Sequence, residues 1–450
     1  MIKKMYITVQ YEIAIGEVGL NEIVYRLKEI RDNLMLWILE EILRSYDEEI
    51  SERLTKPHTS KERKGLGRHR KKGEDDGCLC RGRKSVRDGS RSDPRKINTV
   101  FGCLRLPVRV VQCCKCGAKY VPLLHTLQIK PYAQKEMNFE YEVSDAVIDT
   151  NYRRLVDGRS IDISLGGIHN IVAGSDIDTV LETPVKLDTS SAIMADDTVV
   201  KQSGGTRGSL KAVIGITGSG QVVPLGCFTN TPWNEVEQTI RKRIIAPEQG
   251  KIQFLYDGEP GLDDFLADIT NSQRCTWHAP RGLYHALWED GVGKTESQPS
   301  IDKVKQMVAV ELPDNEYELL KEQDKDEIRM KYQDSKKEIK ELVDTFRARG
   351  YTHGATYLHN LSQRLFTNIE IWLTTGVIAH KTTSLLERLF REIGRRLKKI
   401  AWGWCDTVAT NLSKMIVIKE YAREKWETYW KEKMNIKGFF SIQIEEIQVP

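Results

Sequence analysis

The stretch from residue 191 to residue 277 constrains the fold most, because here the apolar pattern changes from helical to strand spacing. Three strand-like segments come first, SAIMADDTVVK, LKAVIGIT and QVVPLGCF, and the turn GSGQ between the last two predicts a β-hairpin. A helix follows in TPWNEVEQTIRKRII, with Thr231 as its predicted cap and Pro232 at its first position. The strand KIQFLYDGEPG, a helix in GLDDFLADI and a short strand in RCTWHAP complete the order. This order predicts an α/β fold in which a crossover leads to the fourth strand.

Two adjacent acids, Asp196 and Asp197, interrupt the first of these strands. A charge inside a strand costs free energy unless a partner or a bound ion compensates it. Asp257 follows the strand IQFLY, and if the first and fourth strands are neighbours, Asp196 and Asp257 meet at one edge of the sheet. Two carboxylates at that separation repel each other unless a cation lies between them. Because oxygen-only ligands select hard ions, the pair predicts a site for Mg²⁺ or Mn²⁺.

A third acidic ligand is expected on a helix that begins near residue 384. Its apolar residues form a core-facing stripe, namely Leu386, Leu389, Phe390, Ile393 and Leu397. Glu387 borders this stripe, and Arg391, Arg395 and Lys398 follow Glu387 along one face. A carboxylate followed by a row of cations suits phosphodiester chemistry. The alternative is an ordinary surface pair of Glu387 with Arg391.

Clustered cysteines predict a metal site in the first half of the chain. Six of the nine cysteines lie between residues 78 and 116. Cys113 and Cys116 form a CxxC motif followed by Gly117, and Cys78 and Cys80 form a looser pair. Two cysteine pairs that bracket a strand pair are typical of a zinc ribbon, in which Zn–S bonds replace a small core. The alternative is a degenerate ribbon without zinc, because one residue separates the first pair where two are usual.

Basic and helical segments surround this cysteine-rich region. A helix over residues 20 to 54 and a helix-turn-helix-like region over residues 138 to 174, with Asp162 as an N-cap, are predicted from spacing. The alternative for residues 138 to 174 is a plain helical hairpin. Residues 56 to 72 are almost entirely polar and basic. They are either a solvated linker or a phosphate-contacting arm. The cations of that arm are Lys61, Arg63, Lys64, Arg68, Arg70, Lys71 and Lys72.

The length and composition are those of a globular protein with two to four domains, and they restrict the cellular compartment that we expect. No apolar run reaches the roughly 18 residues that span a bilayer, and the N-terminus lacks the pattern of a signal peptide. Nine cysteines without a secretion signal favour a reducing compartment. We therefore expect a cytoplasmic protein without a membrane partner.

Four segments in this order, MADDTVVK, LYDGEPGL, CTWH and TTSLLERLFREIGRRLKK, resemble the DDE transposases of Mutator-like insertion sequences of bacteria and archaea. The resemblance implies an RNase H-like catalytic domain, a mixed sheet with helices, that carries an all-α insertion. It implies Asp196, Asp257 and Glu387 as catalytic ligands of two Mg²⁺ or Mn²⁺ ions, with Cys275 and His278 as a supporting signature. It further implies DNA partners, namely the inverted repeats of the element and target DNA, and a homodimer or higher oligomer at the prokaryotic nucleoid.

The chain departs from the family pattern at two positions. Asp197 stands where a small residue is more usual, which leaves Asp196 and Asp197 both open as the first ligand, with Asp196 favoured. Phe390 stands where the family often has Asn, and Glu392 is the second choice for the third ligand.

The expected organisation has eight parts along the chain. They are an N-terminal helix (1–55), a basic linker (56–77), a zinc-ribbon-like module (78–130), a helix-turn-helix-like region (131–180), the two parts of the RNase H-like domain (188–285 and 379–435), the helical insertion between them (286–378) and a tail (436–450). Two functions compete with transposition. One is a non-catalytic zinc-ribbon regulator that binds DNA, and the other is an inactive transposase copy.

Overall fold

The computed structural model describes residues 20–54, 85–90, 93–113, 117–130, 132–158, 163–313, 317, 321–399 and 403–436. The chain divides into two compact units. One unit comprises Met1–Val147 and Asn151–Ile168, and the other comprises Ile148–Thr150 and His169–Pro450.

The first unit begins with the predicted long helix, α1 (Leu20–Leu54), which is confirmed. The elements that follow are β1 (Ser85–Ser90), β2 (Arg95–Thr99), β3 (Gly102–Leu106), β4 (Arg109–Cys113), β5 (Lys119–Tyr120), α2 (Pro122–Thr126), α3 (Met137–Asp149), α4 (Tyr152–Gly158) and α5 (Leu165–Ala173). Strands β2 and β3 form an antiparallel hairpin, while β4 lies between β1 and β5. Leu36, Leu39 and Leu43 of α1 pack against the apolar side chains of this region.

The helix-turn-helix-like region contains helices at the expected places, but its predicted cap lies outside the described residues. Helix α4 ends at Gly158, residues 159–162, which include Asp162, are outside the described residues, and α5 begins at Leu165. Ser164 caps α5, since its Oγ accepts a hydrogen bond from the Gly167 N–H at 3.1 Å.

The second unit is built on a mixed sheet of five strands. After β6 (Val185–Lys186), the elements are β7 (Ala192–Lys201), β8 (Arg207–Ile216), β9 (Val222–Thr229), α6 (Trp233–Lys242), β10 (Ile244–Ile245), β11 (Ile252–Tyr256) and β12 (Thr270–Arg274). The strand order is β12-β11-β7-β8-β9. Strands β7, β8 and β9 pair antiparallel, whereas β11 pairs parallel with both β7 and β12. The predicted hairpin and the predicted neighbourhood of the first and fourth strands are therefore confirmed.

The centre of this sheet is covered on both faces. All five residues of β11 are buried, as expected for a strand in the middle of a parallel arrangement. Trp233 and Val236 of α6 pack with Phe254 and Tyr256 in one apolar cluster. After the helical region, α12 (Ser384–Leu397), α13 (Asp406–Tyr421) and α14 (Arg423–Lys433) complete the chain, and α12 contacts β7 while α13 contacts β9.

Between β12 and α12 the described chain is helical, as the charged helical pattern predicts. It contains α7 (Ala279–Glu289), α8 (Lys294–Val308), α9 (Glu322–Arg349), α10 (Thr352–Ser362) and α11 (Thr367–Thr375). These helices share an apolar core of their own, centred on residues such as Leu283, Ile339 and Trp372. The expected boundary between the RNase H-like domain and the insertion, at residues 285 and 286, falls inside α7. This helix contributes Leu283 and Leu287 to the core of the helical region.

Three local predictions in the sheet region are wrong. Residues 262–269 form successive turns instead of a helix, and Leu266 has a φ of 54°, which a right-handed helix does not allow. The N-cap of α6 is Pro232, without a side-chain cap from Thr231. The last strand ends at Arg274, because Cys275 begins a helical turn in which its carbonyl accepts the Ala279 N–H at 3.1 Å.

Within the described ranges, no helix combines the length and apolar character needed to cross a membrane.

An ion-pair cluster joins the ends of the second unit. Arg243 and Lys414 are 4% and 8% exposed. Arg243 Nη2 donates to Asp178 Oδ2 at 2.7 Å, and Lys414 Nζ lies 2.5 Å from Asp178 Oδ1. Burial raises the pKa of Asp178, but Lys414 and Arg243 outweigh it and lower the pKa below its ordinary value of 3.8.

Replacing Asp178 should destabilise the protein, because Asp178→Asn leaves two buried cations without a counter-charge. Since the Asp178 side chain is 42% exposed, we expect a loss of about 2 kcal/mol at pH 7, below the usual range for a fully buried pair. The pKa of Asp178 is depressed in the folded protein, so the difference should shrink as the pH falls below 3.8 and should vanish once the pH is below the folded-state pKa. Urea unfolding at several pH values measures this. Asp149→Asn, which removes an exposed partner of Lys419, is the control and should change stability by less than about 0.5 kcal/mol. Equal effects of the two substitutions would contradict the prediction.

Candidate active site

The parallel register of two strands brings Asp196 and Asp257 together. Tyr256 of β11 is opposite Ala195 of β7. The residue that follows each of them is an aspartate, Asp196 within β7 and Asp257 just after the end of β11, so the two carboxyl groups lie at neighbouring positions. Asp196 is only 7% exposed. The arrangement that the sequence analysis inferred for these two acids therefore has a structural basis in the pairing of β7 with β11.

The environment of Asp196 opposes a negative charge. Burial and, to a smaller extent, the neighbouring Asp257 raise the pKa of Asp196 to about 8. The backbone N–H of Asp197 donates to Asp196 Oδ1 at 2.8 Å and offsets part of this effect. The site is thus a carboxyl pair in which one member holds its proton at neutral pH until positive charge is added.

A tight turn fixes the carboxylate of Asp257. Asp257 Oδ1 accepts the backbone N–H of Glu259 at 2.9 Å. Gly258 between them has a φ of 113°, and a Cβ at this position would lie 1.6 Å from Arg274 Nη1. Only glycine therefore fits this turn, and the motif DGE holds the carboxylate at the end of β11.

The end of β12 contributes a thiol and an imidazole next to the acids. Cys275 is fully buried, its N–H donates to the carbonyl of Tyr256 at 2.8 Å, and the hydroxyl and N–H of Thr383 donate to its Sγ at 3.5 and 3.4 Å. Burial raises the pKa of the Cys275 thiol, but hydrogen bonds with His278 and Thr383 outweigh it and lower the pKa. The hydrogen bond with Cys275, and then the charges of Asp257 and Asp196, raise the pKa of His278.

Glu387 contacts His278, the residue whose imidazole lies near the two aspartates. Glu387 lies in the first turn of α12, and its N–H donates to the carbonyl of Thr383 at 3.2 Å. Its Oε1 lies 3.5 Å from His278 Nε2. The second choice, Glu392, instead accepts a hydrogen bond from Arg395 at 2.7 Å. The geometry therefore favours Glu387 over Glu392 as the acid on this helix that belongs with the aspartates.

Hydrogen bonds to buried glutamines hold the segment before α12 against the sheet. Gln253 of β11 is 3% exposed, and its side-chain amide donates to the carbonyl of His380 at 2.6 Å and accepts the His380 N–H at 2.9 Å. Thr276 donates its N–H to the carbonyl of Lys381 at 2.9 Å. These contacts fix residues 380–383, and through Thr383 they fix the start of the helix that carries Glu387.

Asp197, the alternative first ligand, has partners within the protein. Ser209 Oγ donates to Asp197 Oδ2 at 2.9 Å, and Lys211 Nζ donates to Ser209 Oγ at 2.9 Å. Asp197 is partly exposed, whereas Asp196 is buried. This difference favours Asp196 as the acid whose negative charge, once formed, would need a bound cation. Sequence reasoning missed Lys211 and also Glu259, which lies near Asp197, and the DGE motif was the only signal for Glu259.

No ready-made metal group is present in the part of the chain that the structure describes. There, no set of three or more His, Cys, Asp or Glu side chains is arranged to hold a metal ion. The magnesium site at Asp196, Asp257 and Glu387 therefore stays a prediction.

The predicted zinc site and basic arm lie mostly outside the described residues. Of the four predicted zinc ligands only Cys113 is described, and it is buried at the end of β4. Its carbonyl accepts the N–H of Gly117 at 2.9 Å, the close approach that a CxxCG turn requires. Cys78, Cys80 and Cys116 lie outside, as do all the cations from Lys61 to Lys72.

The cations predicted on α12 are exposed. Arg391, Arg395 and Lys398 all lie on its solvent side. Lys398 Nζ donates to Thr198 Oγ1 of β7, which places this ammonium group at the strand that carries Asp196. Arg395 is the partner of Glu392.

Comparison with known proteins adds no identity: no protein-family model matches the chain, and no curated protein matches it either.

The raised pKa of Asp196 predicts a pH-dependent stability in the presence of EDTA. Asp196 ionises near 3.8 in the unfolded chain and near 8 in the folded protein. Between these values the folded state keeps a proton that the unfolded state has lost, so stability falls as the pH rises through this window. Asp196→Asn removes this loss and should be more stable than wild type by more than about 2 kcal/mol at pH 8, with no such gain at pH 4.

Thermal unfolding in EDTA at pH 4 and pH 8 measures the effect. Asp197→Asn is the matched control, since it changes the adjacent and partly exposed carboxylate, and it should show no comparable gain at pH 8. A gain from Asp196→Asn that is equal at both pH values would contradict the assignment.

Proposed function

We propose that this protein is a DNA transposase that cleaves the ends of its own insertion sequence and joins them to target DNA. The observation that carries the proposal is the parallel register of β7 and β11, which brings Asp196 beside Asp257. The contact of His278 with Glu387 adds a third carboxylate from a distant helix. The resemblance of the four sequence segments to Mutator-like DDE transposases names the same three acids.

The sheet supports an RNase H-like catalytic domain. Three antiparallel strands are followed by two parallel strands, and the first strand lies at the centre of the order β12-β11-β7-β8-β9. Asp196 lies in the middle of β7, and Asp257 directly follows the neighbouring strand β11. A helical region between β12 and α12 has its own core and corresponds to the all-α insertion that the resemblance implies.

The chemistry of the donor groups fits a hard divalent cation. Burial, and then repulsion by Asp257, raise the pKa of Asp196, and positive charge between the two carboxyl groups would stabilise the pair. Asp196, Asp257 and Glu387 would hold Mg²⁺ or Mn²⁺, two ions by resemblance. When bound, such ions polarise the phosphodiester, make water a better nucleophile and stabilise the leaving oxygen.

The remaining roles belong to side chains of this chain. His278 orients the Glu387 carboxylate, and Cys275 with Thr383 holds His278 in place. Arg391 and Lys398 on the exposed side of α12 bind DNA phosphates next to the acids. In the proposed reaction, water attacks the phosphorus at the element end and the 3′ oxygen leaves. The freed 3′-hydroxyl then attacks a phosphodiester of target DNA, and one strand bond is exchanged for another.

The N-terminal half supplies DNA binding in this proposal. The zinc-ribbon-like module with Cys78, Cys80, Cys113 and Cys116, the helix-turn-helix-like region and the basic arm would bind the inverted repeats. A homodimer or higher oligomer would hold two element ends together. The cytoplasm of a prokaryote is the compartment in which both DNA partners occur.

A second function has one observation in its favour. Among the described residues no three-ligand metal group is preformed, as a non-catalytic DNA-binding regulator or an inactive transposase copy would lead us to expect. The transposase hypothesis requires the acids for strand cleavage, whereas the other two hypotheses do not.

Removing a single carboxylate should separate cleavage from binding. Asp257→Asn and Glu387→Gln should each reduce Mg²⁺-dependent nicking of element-end DNA at least about 10³-fold, equivalent to about 4 kcal/mol of barrier. Binding of the same DNA should stay within about twofold, because phosphate contacts supply most of the affinity. Gel assays of nicking and binding on one labelled substrate measure both quantities.

Glu392→Gln is the matched control on the same helix and should retain nicking. If Asp257→Asn nicks as fast as wild type, the catalytic assignment is wrong. A wild-type protein that binds DNA but nicks it with neither Mg²⁺ nor Mn²⁺ would favour the regulator.

The basic arm should show the opposite behaviour. Changing the seven cations from Lys61 to Lys72 to Gln should weaken binding to all DNA sequences and flatten the dependence of the affinity on salt, because fewer counterions are released. A salt titration of binding measures the slope. An unchanged slope would assign these residues to a linker without phosphate contacts.

A further inference from the structure

The outer face of α7 carries a row of aromatic and basic side chains. Trp277, Arg281, His285 and Trp288 recur at helical spacing, and all four are exposed. Trp277 precedes the helix, but the Ala279 N–H donates to the Cys275 carbonyl, so the helical turn already includes Trp277. We call these four residues the α7 aromatic face. The opposite side of the helix contributes to the buried core of the helical region.

The two tryptophan side chains on this face are more exposed than is usual for tryptophans with a purely structural role. Trp277 is 73% exposed and Trp288 is 66% exposed. In the described part of the chain only one further tryptophan, Trp37, is comparably exposed, and it lies in the other unit. Exposed aromatic side chains grouped on one face are typical of a binding surface.

The charge of this face suits an anionic ligand. Arg281 and His285 lie between the two tryptophans, and no acid occurs from Trp277 to Trp288. The acids that follow are already engaged elsewhere: Glu289 lies 3.4 Å from His353, and Asp290 accepts the backbone N–H groups of His353 and Gly354 at 2.9 and 2.7 Å. A ligand that combines flat apolar rings with negative charge is a nucleic acid strand.

The face begins at the candidate active site. Trp277 lies between Thr276, which is bonded to residue 381, and His278, which contacts Glu387. Trp277 and Trp288 are about 16 Å apart along the helix, by the rise of 1.5 Å per residue. Several stacked nucleotides span that distance. A strand that leaves the acids along α7 would meet the two indoles in turn.

We propose that the α7 aromatic face binds an unpaired DNA strand next to the cleavage site. Bases of that strand stack on Trp277 and Trp288, and Arg281 contacts a phosphate between them. Bases in a duplex hide their faces from such a platform, so the surface distinguishes opened or overhanging DNA ends from intact duplex. This inference rests on the proposed function, since it places the surface beside a DNA cleavage site.

The test compares DNA forms in the absence of cleavage. Fluorescence anisotropy with calcium or EDTA would measure binding of a labelled single strand, of a duplex with an unpaired end and of a blunt duplex. Trp277→Ala and Trp288→Ala should each weaken binding of the first two about tenfold, the loss expected for one stacked base. Binding of the blunt duplex should change less than twofold. Trp277→Phe should keep most of the affinity, because a phenyl ring still stacks.

Met330→Ala is the matched control, since Met330 is also apolar, 60% exposed and located on α9 of the same helical region. It should change none of the three affinities. Equal losses on single-stranded and blunt DNA, or no loss on either, would overturn the inference. So would a change of the sedimentation coefficient by Trp288→Ala with unchanged DNA binding, which would assign the face to contacts between copies of this chain.

The outcomes also separate this inference from the proposed function. If the protein binds single strands through the two tryptophans but never nicks DNA, the proposed catalysis is wrong and the proposed binding surface stands. If the protein nicks DNA but its affinity for single strands does not change when either tryptophan is replaced, the proposed transposase activity stands and the proposed binding surface is wrong.

Discussion

The parallel pairing of β7 with β11 is the constraint on which the rest of the site depends. A shift of this register by one residue would turn every side chain of one strand to the opposite face and would separate Asp196 from Asp257. Four register pairs fix it, from Gln253 opposite Ala192 to Tyr256 opposite Ala195. The burial of β11 on both faces makes a shift costly, because it would move apolar side chains out of both cores.

The price of this arrangement is the desolvation of Asp196. Burial and Asp257 hold its pKa near 8, so without added positive charge the carboxyl group of Asp196 is neutral at pH 7. A protein that used these acids only as structural charges would gain stability by replacing Asp196 with an amide or a small residue. The burial of this carboxyl group therefore favours a ligand of positive charge, and this is the physical basis of the proposed metal site.

The sequence predicts the sheet well because its signals are local. The alternation in β7, the GSGQ turn before β9 and the apolar run of β11 each depend on a few adjacent residues, and all three elements form as expected. The same reasoning is wrong for residues 262–269, whose apolar spacing predicts a helix. Leu266 has a positive φ, and the chain forms turns that pack Phe265 into the sheet core instead. The pair of Asp196 and Asp257 could be anticipated from strand order. The contact of His278 with Glu387 could be anticipated only from the family resemblance, because no local pattern joins residues so far apart in sequence.

Hydrogen bonds to buried side chains explain how that distant contact is maintained across a helical region. Gln253 of β11 bonds both backbone groups of His380, and Gln273 of β12 donates to the carbonyl of Leu365 and accepts the N–H of Asn368. Each glutamine thus uses both ends of its amide to bond a returning backbone segment, which makes the returning chain dock at one place on the sheet. The bonds of Gln253 with His380 and of Thr276 with Lys381 then hold the chain that enters α12, and the Glu387 N–H bonds the carbonyl of Thr383 at the start of this helix. Helix α7 begins at the same place on the sheet, because it follows β12 after Cys275, whose N–H donates to the carbonyl of Tyr256 and whose carbonyl accepts the N–H of Ala279. The α7 aromatic face therefore begins beside the candidate active site.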